Sequence, residues 1–224
     1  MIFVTGDVHA EHDIHKFNTK NFPQQRQLNR SDYMIVTGDF GLVWDGSAQE
    51  RYWRNWLNSK SFTTLFVDGN HENFDMLEQY PVELWCGGKV RRIEENILHL
   101  QRGQVFDIAG KKFFTFGGAQ STDKEHRIIG KSWWPQELPN YRDIEEAYAS
   151  LASHDFKVDY VLTHTAPTSV VDILASYRKD DPTCRMLDLI NKSIEFDKWF
   201  FGHFHTDVEL EKFTFLYEKI LHIE

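Results

Sequence analysis

The amino-acid sequence predicts an α/β fold of two packed mixed β-sheets with helices outside them, and three observations carry that expectation. Short runs rich in Val, Ile, Phe or Tyr stop abruptly at Gly, Asp, Asn or His. Strand-like and helix-like stretches alternate through the first third of the chain. Closely spaced strand-like runs follow near its middle.

The runs Ile2–Thr5, 34–37, 65–67, 113–116, Tyr160–Thr163 and 199–201 are too short for helices and read as buried strands. Ser47 is placed to cap a helix reaching about residue 58, with Trp53, Trp56 and Leu57 on one face. Segments 143–153, with Ile144, Ala147, Tyr148 and Leu151, and 169–177 share that periodicity. The early alternation predicts βαβ units, which set the first strands side by side and parallel. Runs 97–100, 104–108 and 112–116 are separated by Arg102-Gly103 and Ala109-Gly110, which predicts antiparallel hairpins. Residues 119–141 break the regularity: the stretch is polar and punctuated by Trp133-Trp134-Pro135 and Pro139. Loops of that length in compact domains are functional or disordered. No repeat or Pro/Gly/Ser-rich linker marks a boundary, so residues 1–224 are read as one domain.

With 25 Lys+Arg against 34 Asp+Glu the formal charge is −9, which works against non-specific nucleic-acid binding. Cys86 and Cys184 form no Cys-x-x-Cys pattern and are expected to be packing residues in a reducing compartment. No apolar run approaches the ~18–20 residues that span a bilayer. The first residues lack a basic segment followed by an apolar one, so a cytoplasmic protein without membrane contact is expected.

Chemistry concentrates where strands end. Five clusters follow strand-like runs: Gly6-Asp7-Val8-His9, Gly38-Asp39, Gly69-Asn70-His71-Glu72, Thr163-His164-Thr165 and Gly202-His203-Phe204-His205. In parallel α/β sheets the loops leaving the carboxyl ends of strands share one edge, which would gather Asp7, His9, Asp39, Asn70, His164, His203 and His205. Singly, each cluster is also ordinary turn chemistry, and His203-x-His205 alone is a weak metal signal. Five in succession are not explained by turns. Imidazole, carboxylate and amide oxygen together suit divalent manganese, iron, zinc, cobalt or nickel better than calcium or magnesium. Asp39 is the carboxylate placed to bridge two ions, about 3.5–4 Å apart, that would also share a hydroxide as nucleophile.

The series Gly-Asp-x-His, Gly-Asp, Gly-Asn-His-Glu, His and Gly-His-x-His resembles the calcineurin-like metallophosphoesterase superfamily, in order, from Gly6 to His205. The resemblance implies a four-layer α/β/β/α sandwich. It also implies one metal held by Asp7, His9, Asp39 and His205, and a second held by Asp39, Asn70, His164 and His203, with manganese first among the candidate metals. His71 is implied to protonate the leaving group or steady the phosphoryl oxygens, and an imidazole titrating near 6.5 suits either task.

The Asp-Arg-Gly that the related protein Ser/Thr phosphatases carry after the second Gly-Asp is absent here, since Gly38-Asp39-Phe40-Gly41-Leu42-Val43-Trp44-Asp45-Gly46 has no Arg. The His203-x-His205 pair looks more like the phosphodiesterase and small-phosphatase branches, so a small phosphate ester is the expected substrate, with phosphodiesters slightly ahead of phosphomonoesters or phosphoproteins. Residues 116–127, running on to Trp133-Trp134-Pro135, resemble a segment of bacterial members of the superfamily, and Lys124 or Arg127 is the candidate phosphate contact. A non-catalytic scaffold on the same fold would have no physical need of seven converging ligands. A deaminase-like reaction would need an acidic base in an arrangement that is absent.

Overall fold

A computed structural model of the protein describes residues 1–174 and 181–223. In chain order the strands are β1 (Ile2–Thr5), β2 (Tyr33–Val36), β3 (Thr63–Phe66), β4 (Val82–Trp85), β5 (Gly88–Glu94), β6 (Ile97–Leu100) and β7 (Gln104–Ile108). They continue as β8 (Lys111–Phe116), β9 (Tyr160–Thr163), β10 (Lys198–Phe201), β11 (Val208–Leu210), β12 (Phe213–Phe215) and β13 (Ile220–Ile223). The helices are α1 (Ala48–Asn58), α2 (Phe74–Leu77), α3 (Tyr141–Ala152), α4 (Thr168–Val171) and α5 (Pro182–Ser193).

One sheet runs β13-β1-β2-β3-β6-β5-β4 and the other β11-β12-β10-β9-β8-β7. As expected, β1, β2 and β3 are parallel neighbours, and β8, β9 and β10 form a second parallel set. Both sheets are mixed, because antiparallel strands close their edges.

Side-chain alternation shows the layering. Along β1, Ile2 and Val4 face the apolar cluster between the sheets while Phe3 faces an outer one. On β10, Phe200 faces inward, and Trp199 and Phe201 face outward. Three separate apolar clusters result: one between the sheets, one under Leu57 of α1, and one under Ala147, Leu151, Leu187 and Ile190 of α3 and α5. This is the four-layer sandwich, whose strands bury both faces and therefore read as continuous apolar runs. Each fully buried Phe or Leu contributes about 1.5–3 kcal/mol.

Local expectations hold where local chemistry decides. Ser47 Oγ accepts from Glu50 N at 3.0 Å, starting α1 as anticipated. Helix α3 begins two residues before 143, because Asn140 and Asp143 form a capping box. The expected helix over 169–177 is described only as far as Leu174, as α4 and a 3-10 turn. Its remainder, 175–177, lies outside the described residues.

The run 97–100 does not form a hairpin with 104–108. Strand β6 belongs to the first sheet and β7 to the second, so Gln101–Gly103 carries the chain across the sandwich while β7 pairs with β8 alone. Gly103 makes this crossing possible: its φ is +70°, and a Cβ there would lie 2.7 Å from Ala147 N. The true partner of β6 is β5, and β5 in turn pairs with β4 around Cys86-Gly87. Both turn residues have positive φ, which suits the right-handed twist of a tight hairpin. Among the described residues no helix is long and apolar enough to cross a membrane.

Candidate metal centre

The two parallel sets of strands bring their carboxyl ends together. From the first sheet, β1 delivers Asp7 and His9, β2 delivers Asp39, and β3 delivers Asn70 and His71. From the second, β9 delivers His164 and β10 delivers His203 and His205. Backbone geometry here is unusual: His9, Asp39, His203 and His205 have φ of 42°, 45°, 67° and 46°. Non-glycine residues rarely adopt that region, and such strain gathers at functional sites. Two glycines let carboxylates lie directly on backbone. A Cβ on Gly202 would stand 2.0 Å from Asp7 Oδ1, and one on Gly69 would stand 2.0 Å from Asp39 Oδ1.

Two groups of donor atoms face one another. In one, His205 Nε2 is 3.1 Å and His9 Nε2 4.0 Å from Asp7 Oδ2, while Asp39 Oδ2 is 3.4 Å from His9 Nε2. In the other, His164 Nε2 is 3.3 Å from Asp39 Oδ1 and 3.1 Å from Asn70 Oδ1. Asp7, His9 and His205 have donor atoms within 4.8 Å of one another, as do Asp7, Asp39 and His164. Asp39 turns one oxygen toward each group, the disposition a bridging carboxylate needs. Asp7 also lies near both groups, which the sequence reading did not anticipate. His203 stands at the margin, its ring centroid 5.0 Å from that of His164 and its backbone N–H donating to Asp7 Oδ1 at 2.9 Å.

Outer contacts orient two of the imidazoles. His164 Nδ1 bonds Thr37 O at 2.8 Å, and His9 Nδ1 bonds Asp13 Oδ2 at 2.7 Å, which leaves each Nε2 directed at the centre. The Tyr217 ring stacks on His205 at 4.6 Å, and its hydroxyl donates to Asp13 Oδ1 at 3.3 Å. Buried Lys16 donates to Asp7 O and Tyr217 O, both at 2.6 Å. A lysine in the polar run 11–16 reads as a surface residue, so nothing local announced it.

The electrostatics test whether cations fit. Asp7 and Asp39 are buried, and among the described residues no lysine or arginine side chain bonds either carboxylate. Burial alone would lower the His164 imidazole, yet the adjacent Asp39 carboxylate outweighs it and raises the ring to about 10. Against the same burial penalty, Asp39 raises His9 to about 9. His203, which burial and the His164 charge depress, falls to about 4. Protons thus gather on imidazoles beside the two carboxylates, so the centre calls for positive charge that divalent ions supply. The donor set fits such ions.

His71 and the long loop meet beside this centre. The His71 backbone N–H donates to Asp39 Oδ1 at 2.7 Å. Arg127 Nη1 and Nη2 lie 3.3 and 3.0 Å from the two His71 ring nitrogens, and the guanidinium also pairs with Asp123. Burial lowers the His71 imidazole; Asp39 opposes this and Arg127 adds to it. Lys124 is exposed on its 3-10 turn, and among the described residues only its backbone carbonyl is engaged, accepting from Arg127 N at 3.1 Å. Trp134 is buried and donates from Nε1 to Asp75 Oδ2 at 2.8 Å, which ties the loop to α2. Glu72, which the sequence reading gave no role, is buried behind Asp39. Burial and the Asp39 charge raise its carboxyl to about 8. A cleft of about 640 Å³, lined in part by His9, His71, His205, Trp44 and Tyr217, opens onto the centre.

Strand-end carboxylates and imidazoles thus form two facing groups beside a half-buried histidine and an open cleft, the arrangement of a candidate metal site. The chain belongs to the calcineurin-like phosphoesterase family, whose sequence model matches residues 1–207. A solved structure described as "Putative 5'-Nucleotidase from Staphylococcus aureus in complex with alpha-ketoglutarate" is similar at 18% identity with a TM-score of 0.48. That match covers 96% of this chain and 48% of the other, so the chain spans about half the length of that protein. No curated protein matches.

Proposed function

We propose that the protein hydrolyses a small phosphodiester with two divalent transition-metal ions, manganese foremost and iron, zinc, nickel or cobalt as alternatives. Asp7, His9, Asp39 and His205 hold one ion, and Asp39, Asn70, His164 and His203 hold the other. The observation that carries this reading is Asp39, whose two oxygens lie 3.4 and 3.3 Å from imidazoles of different groups. When bound, the ions lower the pKa of an attacking water and offset charge on the phosphoryl oxygens. His71 approaches the substrate from the cleft and serves the departing oxygen, while Arg127 beside it receives a phosphoryl oxygen.

Two observations favour a diester over a monoester or a phosphoprotein. Residues 38–46, the stretch in which protein phosphatases carry the phosphate-gripping Arg, contain no Arg. Apart from Arg127, which reaches His71 from outside the lining, the cleft offers Glu11, Asp13 and Asp45 and no lysine or arginine among the described residues, which suits a monoanion better than a dianion.

A panel of phosphate monoesters and diesters, assayed on metal-stripped protein reloaded with manganese, nickel, cobalt, zinc or magnesium, tests the proposal. Turnover of diesters above monoesters with a transition metal is expected. Faster monoester turnover would reverse the ester assignment, and no turnover with any metal would remove the catalytic reading. Arg127→Ala is expected to raise KM for the preferred ester by about tenfold, the size of one lost charged contact. Lys124→Ala is expected to leave both kinetic constants unchanged, because its side chain is exposed. Equal effects of the two substitutions in steady-state kinetics would refute the choice of Arg127.

A further inference from the structure

The long loop after β8 reaches the centre by a route separate from Arg127. Asn70 Nδ2 donates to Ser121 Oγ at 3.3 Å, and Ser121 Oγ donates to Glu137 Oε2 at 2.5 Å. The other Glu137 oxygen accepts from Ser121 N at 2.9 Å. All three residues are buried: Asn70 is 5%, Ser121 1% and Glu137 0% exposed. The far end of the loop is latched as well. Arg102 Nη2 donates to Gln136 O at 2.9 Å and pairs with Asp68, two residues before Asn70.

The direction of these bonds matters more than their number. A carboxylate has only acceptor capacity. Glu137 therefore claims the single Ser121 hydroxyl proton, which leaves Oγ an acceptor toward Asn70. Only the amide NH2 of Asn70 can satisfy it, so the amide oxygen must point the opposite way, toward His164 Nε2 at 3.1 Å. An Asn amide has two faces of nearly equal shape, one of which repels a cation, and its orientation is decided by its hydrogen-bond partners.

We infer that Ser121 and Glu137 are positioning residues that hold the Asn70 amide with its oxygen toward the metal centre. The inference rests on the proposed role of Asn70 as a ligand. It gives the loop a task independent of substrate: one end of it sets a ligand while Arg127, between, meets His71. Outer contacts of this kind change metal affinity by about 10–100-fold.

The test is manganese binding to the metal-stripped full-length protein, followed by calorimetric titration and by the electron paramagnetic resonance signal of coupled manganese pairs. Four proteins are compared: the unaltered chain, Ser121→Ala, Glu137→Gln and Asn70→Ala. Ser121→Ala removes the acceptor. Glu137→Gln nearly preserves shape but lets an NH2 donate to Ser121, which hands the hydroxyl proton to Asn70 and turns the amide NH2 toward the metal. Both variants are expected to weaken one manganese site about 10–100-fold, leave the other unchanged, and lose the coupled-pair signal at low manganese. Thermal unfolding of the metal-free proteins separates this from loss of fold, and if one variant fails to fold the other decides. Wild-type binding in Ser121→Ala and Glu137→Gln, with one site lost in Asn70→Ala, would overturn the positioning inference and spare the ligand assignment. Equal weakening of both sites would also overturn it, since that is a general structural effect. Two intact sites in Asn70→Ala would remove the ligand assignment and the inference with it.

Discussion

Asp39→Ala is expected to strip more metal from the protein than any other single substitution. Elemental analysis after purification without chelator should find up to two transition-metal equivalents in the unaltered protein and less than one in this variant. The reason lies in the placement of its two oxygens, one 3.4 Å from His9 Nε2 and the other 3.3 Å from His164 Nε2, whereas His205 and Asn70 each face a single group. Removing Asp39 also leaves Asp7 as the one carboxylate among the donor atoms of the two groups, so the centre offers incoming cations less negative charge. Metal-linked stability should vanish in parallel. A ligand at 100 times its Kd stabilises a fold by about 2.7 kcal/mol, so the rise in unfolding temperature on adding manganese should be lost.

A second substitution separates bridging from backbone support. Asp39 Oδ1 also accepts from the His71 backbone N–H at 2.7 Å. Asp39→Asn keeps an acceptor for that bond but lacks a second oxygen for a second ion. Equal metal loss in Asp39→Asn and Asp39→Ala is expected. Full metal content in Asp39→Asn would show that the turn, not the bridge, is what Asp39 supplies.

His71→Ala is expected to lower turnover by about 10²–10⁴-fold while metal content stays intact. That range corresponds to about 2.7–5.4 kcal/mol of transition-state stabilisation. Metal should remain because the contact to Asp39 comes from the backbone of His71, which truncation leaves in place. The loss should shrink for an ester that releases a good anion such as nitrophenolate, since its departure needs little proton assistance. Burial and Arg127 hold the ring below its usual range in the metal-free chain. A loss independent of the leaving group would therefore assign His71 to hydrogen-bonding the phosphoryl oxygens. Loss of metal in His71→Ala would place its ring among the ligands instead.

Much of the architecture was legible along the chain because strands that bury both faces need unbroken apolar runs, and β1, β2, β3, β8, β9 and β10 have them. Ser47 was legible because capping is decided within three residues. Strands β4, β5 and β11–β13 were not. Near a sheet edge, β4 alternates exposed and half-buried residues and β5 mixes buried with half-buried ones, and the last three are three or four residues long. Helix α5 carried a signal that could have been used, an Asp181 cap followed by Pro182 at the first turn.

By itself, the sequence determined which kinds of atom this centre contains and that each sits where a strand stops, because side-chain chemistry and periodicity are local properties. Only the tertiary structure decided which sheet β6 and β7 join, which oxygen of Asp39 faces which imidazole, and that Arg127 rather than Lys124 meets His71. It also decided that Ser121 and Glu137 stand behind Asn70, partners 51 and 16 residues apart along this chain of bonds. Those outcomes depend on strand register and on two sheets docking face to face, and the pairwise distances that result are set by packing across the whole sandwich rather than by any stretch of residues within it.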